Sequence, residues 1–90
     1  MNISKDKKQV FLFSAPWCKP CQRVKTYYDD IVKSNPDYEF NYINIDENGD
    51  LMDEVGVTKI PTWVVYKNGE KTHTLQHSDR ATVEKELFLK

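Results

Sequence analysis

The sequence is poor in several features that mark whole classes of proteins. Only three of its 90 residues are glycine and four are proline, which argues against collagen-like and low-complexity chains. Its longest uninterrupted apolar run covers residues 10–13, far short of the ~20 apolar residues of a membrane helix. The formal net charge is −1, without the overall positive charge typical of nucleic-acid binders. We therefore expect neither a membrane nor a nucleic acid as a partner.

What is present is an ordinary globular composition, with 39% hydrophobic and 30% charged residues. A chain of this length supports one hydrophobic core, so we predict a single domain over residues 1–90. The opening residues MNISKDKK lack the apolar stretch of a signal peptide. We therefore expect a monomer that works in the cytoplasm.

The chain has only two cysteines, Cys18 and Cys21, and they lie three positions apart. A disulfide across so short a loop adds little stability, because the loop-closure entropy that it removes grows with loop length. Closely spaced cysteines instead suit a bond that is repeatedly made and broken, or a metal site. The cysteine spacing therefore favours redox or metal chemistry.

Periodicity and turn residues predict the order β-α-β-α-β-β-α. The predicted strands cover residues 9–14, 38–45, 62–66 and 71–76, and the predicted helices 19–33, 50–55 and from 78 or 79 onwards. We expect Asp50 to cap the second helix and Gly56 to end it. Alternating strands and helices indicate parallel pairing, and the Asn68-Gly69 turn adds an antiparallel edge strand. The predicted fold is α/β, with a four-stranded mixed sheet flanked by helices.

The two cysteines fall where the first strand passes into the first helix. A helix N-terminus stabilises an anion through its unpaired N–H groups and its dipole, so Cys18 should have a lowered pKa. Pro20 is tolerated in the first turn, and Trp17 can form an apolar lip. The spacing places Cys21 under Cys18, close enough to displace a substrate held there as a mixed disulfide. The first of the two thiols is therefore expected to be the reactive, exposed one.

Two segments resemble the thioredoxin family. Residues 15–21, Ala-Pro-Trp-Cys-Lys-Pro-Cys, resemble its active-site segment, and residues 60–62, Ile-Pro-Thr, resemble its cis-proline loop. The resemblance implies a minimal thioredoxin fold in which Cys18 attacks, Cys21 resolves and Pro61 is cis and faces them. It also implies a substrate-binding surface, made of Trp17, Lys19, Pro20, Ile60, Pro61 and His77.

The chain also departs from the usual family pattern. Leu12 stands where the family usually has a buried aspartate, and Tyr42 stands where it has the partner lysine. Lys19 replaces a glycine of the active-site segment, Thr26 replaces a helix proline, and His77 replaces a glycine of the substrate groove. These positions bear on proton transfer and on the choice of partner rather than on the cysteine pair.

The leading hypothesis is a thiol–disulfide oxidoreductase that reduces protein disulfides. The cysteine pair is then the redox group, no organic cofactor is needed, and electrons come from NADPH through a thioredoxin reductase. One alternative is a glutaredoxin-like protein reduced by glutathione, although residues 77–79, His-Ser-Asp, keep only the acidic part of that family's motif. Another is a non-enzymatic thioredoxin-fold subunit used for binding.

Other polar groups have simpler explanations. Zinc held by Cys18, Cys21, His73 and His77 would need 51 residues between Cys21 and His73, against roughly 12–15 in a finger, so we expect no metal. Asp46 and its acidic neighbours are read as a solvated loop and helix face. Four basic residues border the first cysteine and should make a positive rim: Lys19, Arg23, Lys25 and Lys59.

Overall fold

Seven regular elements and one π-helical turn lie within residues 2–88. The computed structural model describes residues 2–88. The elements are β1 (Lys8–Ser14), α1 (Lys19–Ser34), β2 (Tyr38–Asn44), α2 (Gly49–Val55), β3 (Thr62–Lys67), β4 (Glu70–Leu75) and α3 (Arg80–Val83), which continues as the π-helical turn Glu84–Phe88. The predicted order and the predicted four-stranded sheet are confirmed. Within residues 2–88, no helix has the length and apolar character that crossing a membrane requires.

The strands lie in the order β2-β1-β3-β4. β1 and β2 are parallel, whereas β3 runs antiparallel to both β1 and β4. The expectation of parallel pairing after each helix is therefore wrong for β3. β3 therefore starts at the same end of the sheet where β1 and β2 finish.

Two apolar layers enclose the sheet. Val10 and Leu12 face α1 and α3, in a core that includes Val24 and Trp63. Phe11 and Phe13 face the opposite side, towards α2. All residues of the 10–13 run are at most 3% exposed, which confirms that this strand is buried on both faces and gives β1 a rigid central position.

Polar residues and glycine fix the ends of the elements. Asn48 precedes α2 and Asp50 lies in its first turn, so the prediction that Asp50 caps this helix is wrong by two positions. Gly56 ends α2 in the left-handed region at φ 82°, a conformation that glycine adopts without steric cost. The Asn68-Gly69 turn between β3 and β4 has φ values of 55° and 88°, as a tight hairpin of this type requires.

Candidate active site

The N-terminus of α1 carries the cysteine pair. Cys18 is the residue that caps the helix: its sulfur accepts a hydrogen bond from the Cys21 amide at 3.3 Å. The Cys18 amide donates to the Ala15 carbonyl at 3.2 Å, and this bond closes the turn between β1 and α1. Pro20 occupies the first turn of the helix, where its missing N–H costs no helical hydrogen bond. The predicted placement of Cys18 at the helix start is confirmed.

Cys18 and Cys21 form a disulfide with their Cα atoms 5.1 Å apart. The pair packs with Ala15 and against Ile45 and Ile60. In this oxidised form Cys18 is 7% exposed and Cys21 is 1% exposed. Cys18 is thus more enclosed than the sequence suggested, because apolar side chains crowd the turn, but it is still the more accessible of the two sulfurs.

The loop before β3 lies against the cysteine pair. The Ile60–Pro61 peptide bond is cis, which is the geometry that the resemblance implied. The Ile60 carbonyl oxygen lies 4.0 Å from the Cys18 sulfur. The Thr62 hydroxyl donates to the Lys59 carbonyl and closes this loop on itself. A polypeptide that approached Cys18 along this side would meet the backbone of Ile60.

A shallow groove of about 350 Å³ runs beside the loop. It brings together four residues expected from the sequence and three neighbours: Pro20, Lys59, Ile60, Pro61, Gln76, His77 and Ser78. Gln76 and Ser78 were not predicted as part of the site, although their positions next to His77 in the sequence could have indicated them. The groove is thus built from the start of α1, the cis-proline loop and the segment after β4.

His77 is held at the groove through both its backbone and its ring. Its carbonyl accepts a hydrogen bond from the buried Trp63 indole at 3.2 Å. Its ring Nδ1 accepts one from the Asp79 amide at 3.1 Å. The neutral imidazole therefore carries its proton on Nε2. Asp79 caps α3, and hydrogen bonds from Thr82 hold the pKa of its carboxyl below the ordinary value.

Trp17 and Asp46 form a contact on the other side of the cysteine pair. The Trp17 indole is 63% exposed, and its N–H lies 3.0 and 3.1 Å from the two carboxylate oxygens of Asp46. Asp46 is thus not merely a solvated loop residue, as the sequence suggested. No short-range pattern links residues 29 positions apart, so only the pairing of β1 with β2 reveals this contact. The hydrogen bond fixes the orientation of the large apolar side chain next to Cys18.

Two of the positions that depart from the family pattern, Leu12 and Tyr42, are neighbours in the sheet. Leu12 pairs in register with Tyr42, is fully buried, and packs with Val24 and Trp63. Tyr42 is 37% exposed and its hydroxyl donates to the buried Ser14 hydroxyl at 2.8 Å. The Tyr42 hydroxyl therefore links β2 by a hydrogen bond to the end of β1, just before the cysteine turn.

The remaining candidates lie apart from one another. His73 is exposed on β4, with its ring Nδ1 3.0 Å from the Thr72 hydroxyl. In the part of the chain that the structure describes, no group of three or more His, Cys, Asp or Glu side chains is arranged to hold a metal ion. Lys19, Arg23 and Lys59 are exposed, and none of them forms an ion pair within residues 2–88.

A disulfide at a helix N-terminus, facing a cis-proline loop at the end of an α/β sheet, defines a thiol–disulfide oxidoreductase site. Comparison with known proteins agrees with this class. The thioredoxin family model matches residues 1–87. The chain belongs to the thioredoxin family, and it is a protein-disulfide oxidoreductase.

Individual relatives support the assignment over most of the chain. The thioredoxin of Ophiophagus hannah is 33% identical over 75 residues, which are 83% of this chain and 71% of that protein. Thioredoxin 1 of Plasmodium falciparum is 33% identical over 81% of this chain and 70% of its own length. The crystal structure of oxidised mitochondrial thioredoxin 3 from Saccharomyces cerevisiae superposes with a TM-score of 0.84 at 30% identity, covering 92% of this chain and 78% of that one.

Proposed function

We propose that the protein reduces disulfide bonds of other proteins, with Cys18 as the attacking thiolate and Cys21 as the resolving thiol. The observation that carries the proposal is the contrast between the two sulfurs. Cys18 accepts a hydrogen bond from the Cys21 amide at the helix N-terminus, is 7% exposed, and lies 4.0 Å from the carbonyl oxygen of Ile60, which lines the groove, whereas Cys21 is 1% exposed. A thiolate at the first position is stabilised by the helix end, and a thiol at the second is shielded from solvent.

In the first step, the Cys18 thiolate attacks one sulfur of the substrate disulfide. A bond forms between Cys18 and that sulfur, the substrate S–S bond breaks, and the second substrate sulfur leaves as a thiolate that takes up a proton. The substrate backbone is proposed to lie along Ile60 and Pro61, since the Ile60 carbonyl oxygen lies 4.0 Å from the Cys18 sulfur. Trp17, Lys19, Pro20 and His77 are proposed to contact the substrate around this line.

In the second step, Cys21 loses its proton and attacks the Cys18 sulfur. The Cys18–Cys21 disulfide forms and the remaining substrate sulfur leaves, so the substrate gains two electrons and the cysteine pair becomes oxidised. Leu12 cannot accept the proton of Cys21, and Tyr42 has a phenol that is a poor base at neutral pH. The departing substrate thiolate and water are therefore the proposed proton acceptors.

The cycle closes when another dithiol reduces the Cys18–Cys21 disulfide. We propose a flavoprotein thioredoxin reductase that draws electrons from NADPH, so the protein itself needs no organic cofactor. A glutathione route has less support, because the Asp79 carboxylate is engaged by Thr82 at the start of α3. The proposed setting is the reducing cytoplasm, although relatives at 31% and 34% identity are mitochondrial thioredoxins of two yeasts.

The roles of the two cysteines can be tested by alkylation and by trapping. In the reduced protein at neutral pH, Cys18 should react with iodoacetamide faster than Cys21. The Cys21→Ser variant should accumulate a mixed disulfide with a protein substrate, and Cys18→Ser should accumulate none. Equal alkylation rates, or trapping by both variants, would contradict the assignment.

The electron donor can be tested with the oxidised wild-type protein. One reaction contains NADPH and thioredoxin reductase, and the other contains glutathione, glutathione reductase and NADPH. We expect NADPH oxidation coupled to insulin reduction in the first reaction only. Turnover in the second reaction alone would replace the proposed donor with glutathione. Failure of both, with two titratable thiols present after chemical reduction, would favour the non-enzymatic binding role.

A further inference from the structure

The outer edge of the sheet at β2 has a defined pattern of free backbone groups. In a parallel pair, alternate residues of a strand direct both their N–H and their C=O towards the neighbouring strand. Just beyond β2, the Ile45 amide donates to the Ser14 carbonyl of β1 at 3.0 Å. The odd-numbered residues of β2 therefore face β1. The even-numbered residues, Tyr38, Phe40, Tyr42 and Asn44, direct their backbone groups away from the sheet.

Some of these outward groups are already used within the chain. The Tyr38 amide donates to the Asn35 carbonyl at 3.1 Å, and the Asn44 carbonyl accepts from two amides of the following turn, each at 3.1 Å. Within residues 2–88, the outward N–H and C=O groups of Phe40 and Tyr42 have no such partner, and neither do the Tyr38 carbonyl and the Asn44 amide. The edge is thus open in the middle and half-occupied at each end.

We propose that this edge pairs with the same edge of a second copy of the chain, antiparallel about a two-fold axis at Asn41. Each Phe40 then lies opposite Tyr42 of the second copy, and each such pair exchanges two hydrogen bonds. Each Tyr38 lies opposite Asn44 of the second copy. There the free Tyr38 carbonyl meets the free Asn44 amide, and the Tyr38 amide and the Asn44 carbonyl, which face each other, are already bonded within their own chains. The pattern of free and occupied groups is therefore self-complementary in this register, as a two-fold interface requires.

The charges and aromatic side chains fit the same arrangement. Tyr28 of α1 contacts both Phe40 and Tyr42, and Lys25 lies 5.6 Å from the Tyr42 ring. Because α1 runs antiparallel to β2, the two-fold axis brings Lys25 of one copy towards Asp29 of the other. Neither of these two residues has an ion pair within residues 2–88, so the contact would satisfy both.

The opposite edge of the sheet is protected in a way that β2 is not. β4 carries Lys71 and pairs with β3 through an irregular register at Val65 and Tyr66. Lysines and bulges on an edge strand hinder pairing with another chain. β2 has no lysine, no proline and an unbroken register, and the pairing places Glu39 opposite Ile43 rather than opposite the second Glu39. The contrast selects β2 as the pairing edge.

Pairing of one seven-residue strand buries less surface than a standard stable interface, so we expect a weak dimer in place of the monomer predicted from the sequence. Sedimentation velocity of the full chain, over a wide range of concentrations and under reducing conditions, should show a monomer–dimer equilibrium. Asn41→Lys should raise the dissociation constant severalfold, because two lysines then face each other at the axis. Thr74→Lys, which adds the same charge to the β4 edge, should leave it unchanged.

A mixing experiment distinguishes this register from other contacts. Asn41→Lys and Asn41→Asp should each dimerise poorly alone, but their equimolar mixture should regain the wild-type dissociation constant. Circular dichroism of each variant confirms that the fold is kept. A wild-type chain that is monomeric at all concentrations would overturn the proposal. A dimer lost on reduction, weakened by Thr74→Lys, or not restored in the mixture would overturn it equally.

Discussion

A single substitution at Leu12 can test whether the core around this buried residue excludes water and polar partners. The resemblance places an aspartate at this position in typical thioredoxins, so we choose Leu12→Asp. The Leu12 side chain is fully buried among apolar groups that include Val24 and Trp63. The Trp63 indole N–H already donates to the His77 carbonyl, so it is not free to bind an introduced carboxyl.

The expected loss of stability follows from two costs. Removing a fully buried leucine forfeits ~1.5–3 kcal/mol of apolar burial. A buried polar group without a partner costs a further ~1–3 kcal/mol. The total of about 2.5–6 kcal/mol is a large part of the roughly 5–13 kcal/mol expected for a chain of this size. The variant should therefore fold but unfold at much lower urea concentration.

The loss should also depend on pH. Burial disfavours the charged form, so the introduced carboxyl has a higher pKa in the folded than in the unfolded state. Between these two values the folded state binds more protons, so the free energy of unfolding falls as pH rises. The penalty therefore grows from acidic pH upwards and levels off above the folded-state pKa.

Urea unfolding from about pH 4 to pH 8, followed by circular dichroism, measures this dependence against the unfolded carboxyl pKa of about 3.9. Leu12→Asn is the matched control, since it has nearly the same shape but does not titrate. The difference between the two variants should increase with pH. A constant difference, or a Leu12→Asp variant as stable as the wild type, would mean that water or a polar partner reaches position 12.

Two further predictions concern charge. Reduction of substrates with acidic flanks should slow as salt is added, because mobile ions screen the exposed basic groups near Cys18. Lys59→Gln should weaken this salt dependence, whereas the control Lys33→Gln, at the far end of α1, should leave it unchanged. Reduction rates that do not change with ionic strength would count against a positive rim. Burial raises the pKa of Tyr27 to about 12, so the folded state keeps a proton that the unfolded state loses near pH 10, and stability should fall as pH rises from about 10 to 12. Alkaline urea titrations should show a smaller fall for Tyr27→Phe, whereas an equal fall in both proteins would assign the loss to other groups.

Much of the fold follows from local signals in the sequence. The apolar run at residues 10–13 predicts a strand buried on both faces, and the Asn68-Gly69 turn predicts the β3–β4 hairpin; both are confirmed. The direction of β3 was not predictable in the same way. The side-chain periodicity of a strand is the same for either chain direction, and the 17 residues that connect β2 to β3 are enough for a parallel or an antiparallel pairing.

The candidate site also contains features that the sequence predicts and contacts that it does not. The position of Cys18 at the helix start follows from the strand–helix boundary, and the cis bond before Pro61 follows from the resemblance alone. The contact of Trp17 with Asp46 and the bond from Tyr42 to Ser14 join residues 28 or 29 positions apart. Such contacts need the register of β1 with β2, which no single-strand pattern supplies.

The strand directions explain why these distant segments form one site. β1 and β2 are parallel, so the cysteine turn and the segment containing Asp46 leave the sheet at the same end. β3 is antiparallel to β1, so the loop containing Pro61 enters the sheet at that end. β4 is antiparallel to β3 and delivers His77 there as well. A β3 parallel to β1 would have placed the cis-proline loop at the opposite end of the sheet, roughly 20 Å away for strands of six or seven residues. The feature that the sequence analysis missed, the antiparallel β3, is therefore the one on which assembly of the active site depends.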